Sequence, residues 1–137
     1  SKLDPNLNHL SKDELSHSLS QSLSRLGVKK LHCLMLHREE MLALWKQGLQ
    51  ENLRYLAETE KVNSIGISVY SPEKAGEALN TDGIELVQLP TNILDRRFED
   101  LNVFQLARDR GKKICIRSAF LQGLVLMNPE NLPTNMV

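Results

Sequence analysis

The chain has no surplus of charge of either sign: 17 Lys and Arg stand against 17 Asp and Glu. No long-range field therefore draws it towards nucleic acid or an anionic membrane. The basic pairs Lys29-Lys30, Arg96-Arg97 and Lys112-Lys113 are isolated and read as solvated turns. No apolar run approaches the roughly 18 residues that a membrane span needs. The N-terminus carries no signal peptide, and the expectation is a cytoplasmic protein. There are two cysteines, Cys33 and Cys115, and neither has a CxxC neighbour. A disulfide, a zinc site and a reduced core thiol are all conceivable. Their positions inside apolar runs favour core thiols, a reducing compartment and no metal. No glycine-rich phosphate loop follows any apolar run, which weakens a doubly wound nucleotide-binding reading. Internal repeats and low-complexity segments are also missing.

What is present is a rhythm. Four short apolar runs, Leu31 to Leu36, Ile65 to Ile67, Leu86 to Val87 and Ile114 to Ile116, each close on a polar residue: His37, Ser68, Gln88 and Arg117. Stretches of helical periodicity lie between them. Ser11-Lys12-Asp13-Glu14 is a capping box. Leu15, Leu19, Leu23 and Leu26 then mark one helix face, with Gly27 as the stop. Met41, Leu42 and Trp45 mark a second helix, which breaks at Gly48, and Leu49, Leu53, Leu56 and Ala57 mark a third. Ser71-Pro72-Glu73 opens another, with proline where its missing N–H does no harm. Phe98, Leu101, Phe104 and Ala107 mark the last, ended by Gly111. The chain becomes loop-like after Val125, with Pro129 and Pro133.

Alternating strand and helix predicts a parallel sheet. Parallel strands present all their C-terminal ends on one rim, where α/β folds place their sites. His37, Ser68, Gln88 and Arg117 are therefore expected to converge there. Strand period also sorts the faces. Leu34 and Leu36, Ile65 and Ile67, Val87 and Leu89, and Ile114 and Ile116 fall on one side, suited to packing under helices. Cys33, Met35, His37, Ser64, Gly66, Ser68, Leu86, Gln88, Cys115 and Arg117 fall on the other. One aliphatic face and one mixed, small-residue face is the asymmetry of a barrel. An open sheet with helices on both sides would carry aliphatics on both. His9, His17 and His32 read as a loop, a helix-surface and an outward strand position. Trp45, Met41 and Leu42 read as packing.

Four of these segments resemble the aldo-keto reductases. Leu34-Met35-Leu36-His37, after a helix ending Ser24-Arg25-Leu26-Gly27, is one. The others are Lys61-Val62-Asn63-Ser64-Ile65-Gly66-Ile67-Ser68, Val87-Gln88-Leu89-Pro90-Thr91-Asn92, and Ile116-Arg117-Ser118-Ala119-Phe120-Leu121-Gln122-Gly123. Ser1-Lys2-Leu3 is similar to the end of the family's third strand. The resemblance covers nearly the whole chain. It implies a (β/α)8 TIM-barrel type of α/β fold, seen as a partial barrel of about four βα units over residues 1–137, from the end of the third strand through the seventh. It implies reduction of an aldehyde or ketone to an alcohol with NADPH, or with NADH. In that resemblance Lys2 and His37 match the catalytic lysine and histidine. Ser68 and Gln88 match groups that bind the nicotinamide carboxamide, Arg117 a position against the nicotinamide ring, and Ser118, Phe120 and Gln122 the segment along pyrophosphate and ribose. An ion pair to a rim carboxylate is the alternative for Arg117.

There are departures. Tyr55 and Tyr70 do not fit the family's catalytic tyrosine. That tyrosine and its aspartate belong to strands before Lys2. Val69 stands where the family usually has asparagine. The last strand and helix, which bind the adenosine 2′-phosphate, are also missing. The expectation is a piece of a longer protein, partnered by the remaining barrel segments and a small carbonyl substrate, and inactive alone. A non-catalytic barrel relative used for binding or assembly is the alternative. The oligomeric state is open.

Overall fold

The computed structural model describes residues 1–3, 11–59 and 61–131. His9 and Pro133 lie outside the described residues. The elements are α1 (Lys12–Leu26), β1 (Leu34–Leu36), α2 (Met41–Leu44), a π-helical segment (Trp45–Leu49), α3 (Gln50–Glu58), β2 (Ile65–Ser68), α4 (Pro72–Leu79), β3 (Leu86–Pro90), α5 (Arg97–Asp100), α6 (Val103–Asp109) and β4 (Lys113–Arg117), followed by 3-10 turns at Leu121–Leu126 and Pro129–Asn131. The four strands form one parallel sheet in the order β1-β2-β3-β4, as half of a βα barrel requires.

Local chemistry accounts for the helix ends. Ser11 Oγ accepts from the Glu14 N–H, and Glu14 Oε2 accepts from the Ser11 N–H at 3.2 Å. Gly27 is left-handed (φ 64°); its N–H reaches the Ser24 carbonyl while that of Val28 reaches Leu23. This closes the carbonyls a helix end leaves bare. Because the chain turns there, Leu26 is exposed rather than continuing the Leu15–Leu19–Leu23 stripe. Ser71 Oγ caps α4 through the Lys74 N–H, with Pro72 first in the helix.

Three elements differ from the sequence reading. The first strand is shorter: Leu31 makes only an isolated bridge to Val62, and regular pairing begins at Leu34. The helix through Phe98 and Ala107 is two helices, because Asn102 takes a left-handed turn (φ 56°) between them. Lys112 is not a solvated turn residue. Its Nζ donates to the Thr81 carbonyl at 2.6 Å, and burial pushes its pKa down.

The core lies between sheet and helices. Leu34, Leu36, Ile65, Ile67, Val87 and Leu89 are all buried, and they pack with Leu53, Leu56, Leu79, Phe98 and Val103. Each such burial contributes on the order of 1.5–3 kcal/mol. Ile116 belongs to the same sheet face but is 50% exposed. It lies on β4, which has no strand neighbour beyond it among the described residues. On the other edge, residues 1–3 run parallel to β1: the Met35 N–H donates to the Ser1 carbonyl and the Leu3 N–H to that of Met35, both at 2.8 Å. This puts Lys2 beside Met35, where the end of a preceding strand was expected.

Candidate active site

The second sheet face is crowded with small groups. A Cβ on Gly66 would stand 2.7 Å from the Leu86 carbonyl oxygen and 2.9 Å from Cys33 Sγ, so no larger residue fits there. One step along β2, Ser68 is in register with Gln88, and Gln88 with Cys115. The Ser68 hydroxyl donates to Gln88 Oε1 at 3.3 Å, and Gln88 Nε2 lies 3.6 Å from Cys115 Sγ. Sulfur is a weak acceptor, so the amide retains most of its donor capacity. Ser68 is fully buried. Burial raises the Cys33 thiol pKa, with a Ser64 hydrogen bond opposing it.

Arg117 closes β4 and lies over the ring of Tyr70, 4.2 Å from its centroid. Its Nε and Nη2 are buried without a hydrogen-bond partner, and among the described residues no carboxylate pairs with it. The ion-pair alternative therefore has no partner among them. Tyr70 follows Ser68 by two residues and is held by its own N–H, which donates to Glu39 Oε2 at 2.6 Å. Sequence reasoning passed over Tyr70 as a site residue; strand period, which puts residues two apart on one face, was the available signal. Tyr55 lies elsewhere, on exposed α3 surface with Lys12 Nζ 5.2 Å from its ring centroid.

Lys2 and His37 line one groove of about 420 Å³ against Ser22 and Arg25 of α1. His37 also borders a depression shared with Glu39 and Tyr70. Partial burial first, and then the Arg117 charge, hold the Lys2 ammonium below its ordinary pKa, with Cys115 opposing. The structure brings together Ser68 with Gln88, Arg117 with Tyr70, and Lys2 with His37; Ser68 and Arg117 end their strands and His37 follows β1, while Lys2 pairs with Met35 within β1.

Ser118, Phe120 and Gln122 follow Arg117 in the loop after β4. Phe120 is 66% exposed. Among the described residues, no side-chain hydrogen bond ties these three to Ser68 or Gln88. Their loop is strained: Ser118, Leu121 and Gln122 all have φ between 48° and 61°. Left-handed backbone at non-glycine positions costs about 1–2 kcal/mol each and gathers at ligand-clamping loops. Among the described residues there is no cluster of three metal-ligating side chains and no helix long and apolar enough to cross a membrane.

The family model described as "Aldo/keto reductase family" matches residues 1–135. Among solved structures, the chain is similar to aldo-keto reductase AKR11C1 from Bacillus halodurans in its holo form, at 26% identity and a TM-score of 0.75, covering 91% of this chain and 40% of that one. It is similar in fold to the glycerol dehydrogenase AKR11B4 from Gluconobacter oxydans, at 20% identity and a TM-score of 0.67, covering 93% of this chain and 39% of that one. It also matches a putative aldo-keto reductase from Pseudomonas aeruginosa, at 20% identity and a TM-score of 0.65, covering 80% of this chain and 43% of that one. The chain thus spans about two-fifths of the length of these proteins. No curated protein sequence matches it.

Proposed function

From the premise that this chain belongs to the aldo/keto reductase family, we propose that the whole protein reduces an aldehyde or ketone to an alcohol with NADPH or NADH. What supports this reading is that Lys2 and His37 line one groove, Ser68 hydrogen-bonds Gln88, and Arg117 ends the next strand of the same parallel sheet.

The polar groups suit a carboxamide. Ser68 Oγ keeps acceptor lone pairs, and Gln88 Nε2 can turn from a sulfur to a better acceptor. Ser68 is buried, so a ligand reaching it displaces what lies over it. When bound, a reduced nicotinamide supplies hydride to the carbonyl carbon. His37 then orients the carbonyl and donates to its oxygen as negative charge develops there. Lys2, beside it, favours the anionic form of a neighbouring acid and so eases proton transfer to that oxygen. We assign the acid itself to the rest of the protein, since neither Tyr55 nor Tyr70 fits it. The 137-residue chain alone is then inactive. Cys33 and Cys115 are free thiols, which supports a reducing cytoplasmic compartment.

In the whole protein, His37→Ala should lower turnover of an aldehyde by roughly tenfold to a thousandfold, followed by oxidation of NADPH. Unchanged turnover removes His37 from the mechanism. Cofactor binding is best followed by the fluorescence of NADPH itself. Trp45 is a poor reporter: its Nε1 donates to the Asp82 carbonyl at 3.1 Å, at the turn that enters β3 from the opposite rim.

A second reading, a non-catalytic barrel relative, is favoured by Val69. It turns into the hydrophobic core where an amide would add a donor to the cofactor. Lack of NADPH binding by the whole protein would select that reading.

A further inference from the structure

Two arginines of this chain offer a direct comparison. Arg97 presents Nε and Nη2 to the two carboxylate oxygens of Asp95, each at 2.8 Å. This side-on fork is the geometry in which a guanidinium matches a carboxylate. Arg117 has the same two nitrogens buried and without a partner. Its Cζ lies over the Tyr70 ring, 4.2 Å from the centroid, and that contact leaves both N–H groups unsatisfied.

We infer that the Nε/Nη2 edge of Arg117 is a carboxylate-binding subsite, and that the carbonyl substrate is a short 2-oxo acid. The inference rests on the reductase reading for the word substrate, but the anion site stands on its own geometry.

Charge decides between ligands here. A neutral carbonyl or amide would satisfy the donors but not the charge, whereas a carboxylate does both. The Arg117 and Lys2 charges act on each other, and among the described residues no carboxylate pairs with either. A single anion between them would relieve that repulsion. Tyr70, on which Arg117 lies, borders a depression shared with His37, so an anion held at Arg117 lies close to a group proposed to act on the carbonyl. A carboxylate directly attached to the carbonyl carbon meets that requirement. In the reaction, hydride from a dihydronicotinamide would add to the keto carbon and a proton to its oxygen. A 2-hydroxy acid and the oxidised cofactor result, and the carboxylate is unchanged.

The test uses the whole protein and two readouts. Oxamate, a non-reducible 2-oxo acid analogue, is titrated calorimetrically. Pyruvate is compared with its neutral methyl ester as substrate. The expected result is that oxamate binds, that Arg117→Met weakens it at least about tenfold (about 1.4 kcal/mol), and that pyruvate loses far more kcat/KM than methyl pyruvate. Arg117→Lys keeps the charge but loses the fork and should weaken oxamate to an intermediate degree. Tyr70→Leu should weaken it several-fold and Tyr70→Phe should not, a rescue that also covers an Arg117→Met protein that fails to fold. Absence of oxamate binding, or equal binding by Arg117→Met, overturns the subsite. So does a carboxylate elsewhere in the whole protein that already pairs with Arg117. Reduction of methyl pyruvate but not pyruvate keeps the reductase reading and sinks this one. Arg117-dependent oxamate binding without any reduction does the reverse.

Discussion

A methyl group on Gly66 would meet the Leu86 carbonyl oxygen and Cys33 Sγ inside van der Waals contact. Backbone cannot yield as a side-chain tip can, so Gly66→Ala should lower unfolding stability by about 1–3 kcal/mol, read from the urea midpoint. Adding Cys33→Ala removes the sulfur clash but not the carbonyl one, so it should recover only part. An unshifted midpoint would mean that the mixed face is loosely packed. Cys33 carries a second expectation. Burial raises its thiol pKa in the fold, so the thiolate favours the unfolded chain. Its contribution is intact below the unfolded pKa of about 8.5 and falls as pH rises through that value towards the folded one. Lys2 and Lys112, whose pKa values are lowered, act oppositely and regain stability as pH nears about 10.4. Stability of the native chain minus that of Cys33→Ala, measured from pH 8 to 10, should therefore decline; a flat difference would show that the thiol titrates freely. At this scale the sequence disclosed the residues that end strands, because a polar group closing an apolar run is visible in one dimension. It did not disclose the Arg117–Tyr70 stack, since that pairing joins two strand ends through space.

Capping residues made most helix starts legible, because Ser11 and Ser71 act on N–H groups only three residues away. Ser71→Ala should cost about 1 kcal/mol, seen as a lower thermal midpoint, and Ser71→Asp should retain most of it. Breaks inside a pattern are harder to read. Phe98, Leu101, Phe104 and Ala107 keep helical spacing across Asn102, yet that single left-handed residue resets the helix and leaves Leu101 exposed. Periodicity counts positions and is blind to one dihedral. Gly48 was visible as a break because its type announces it. Its φ is 108°, and nothing lies within 4 Å of the place a Cβ would take. Gly48→Ala should thus cost about 1–2 kcal/mol through backbone strain alone. Unlike Gly66→Ala, it should not be eased by trimming any neighbour.

The whole molecule has the order of half a barrel, and that order followed from the βα rhythm, because crossover helices force adjacent strands to run parallel. What the rhythm could not show is how the far edge behaves. Among the described residues β4 pairs only with β3, and Ile116 on its outer face is half exposed. Nearby Ile93 and Leu94 are more than 75% exposed, as is Leu126 beyond β4. Parallel sheets are normally covered on both faces, and an open strand edge with apolar flanks is a template for another chain. The 137-residue chain in isolation should therefore self-associate, with a sedimentation coefficient that rises with concentration. Ile116→Lys places a charge on that edge and should shift the distribution towards monomer without lowering the unfolding free energy, measured by urea titration, by more than about 0.5 kcal/mol, since the side chain it replaces is already half in water. A monodisperse monomer at high concentration would mean that the β4 edge is shielded. The inner face argues against two copies closing into one barrel, because each would bring its own Lys2 and Arg117 into the shared lumen. Added sulfate or oxamate, by compensating those charges, should then favour compact dimers over open-ended assemblies.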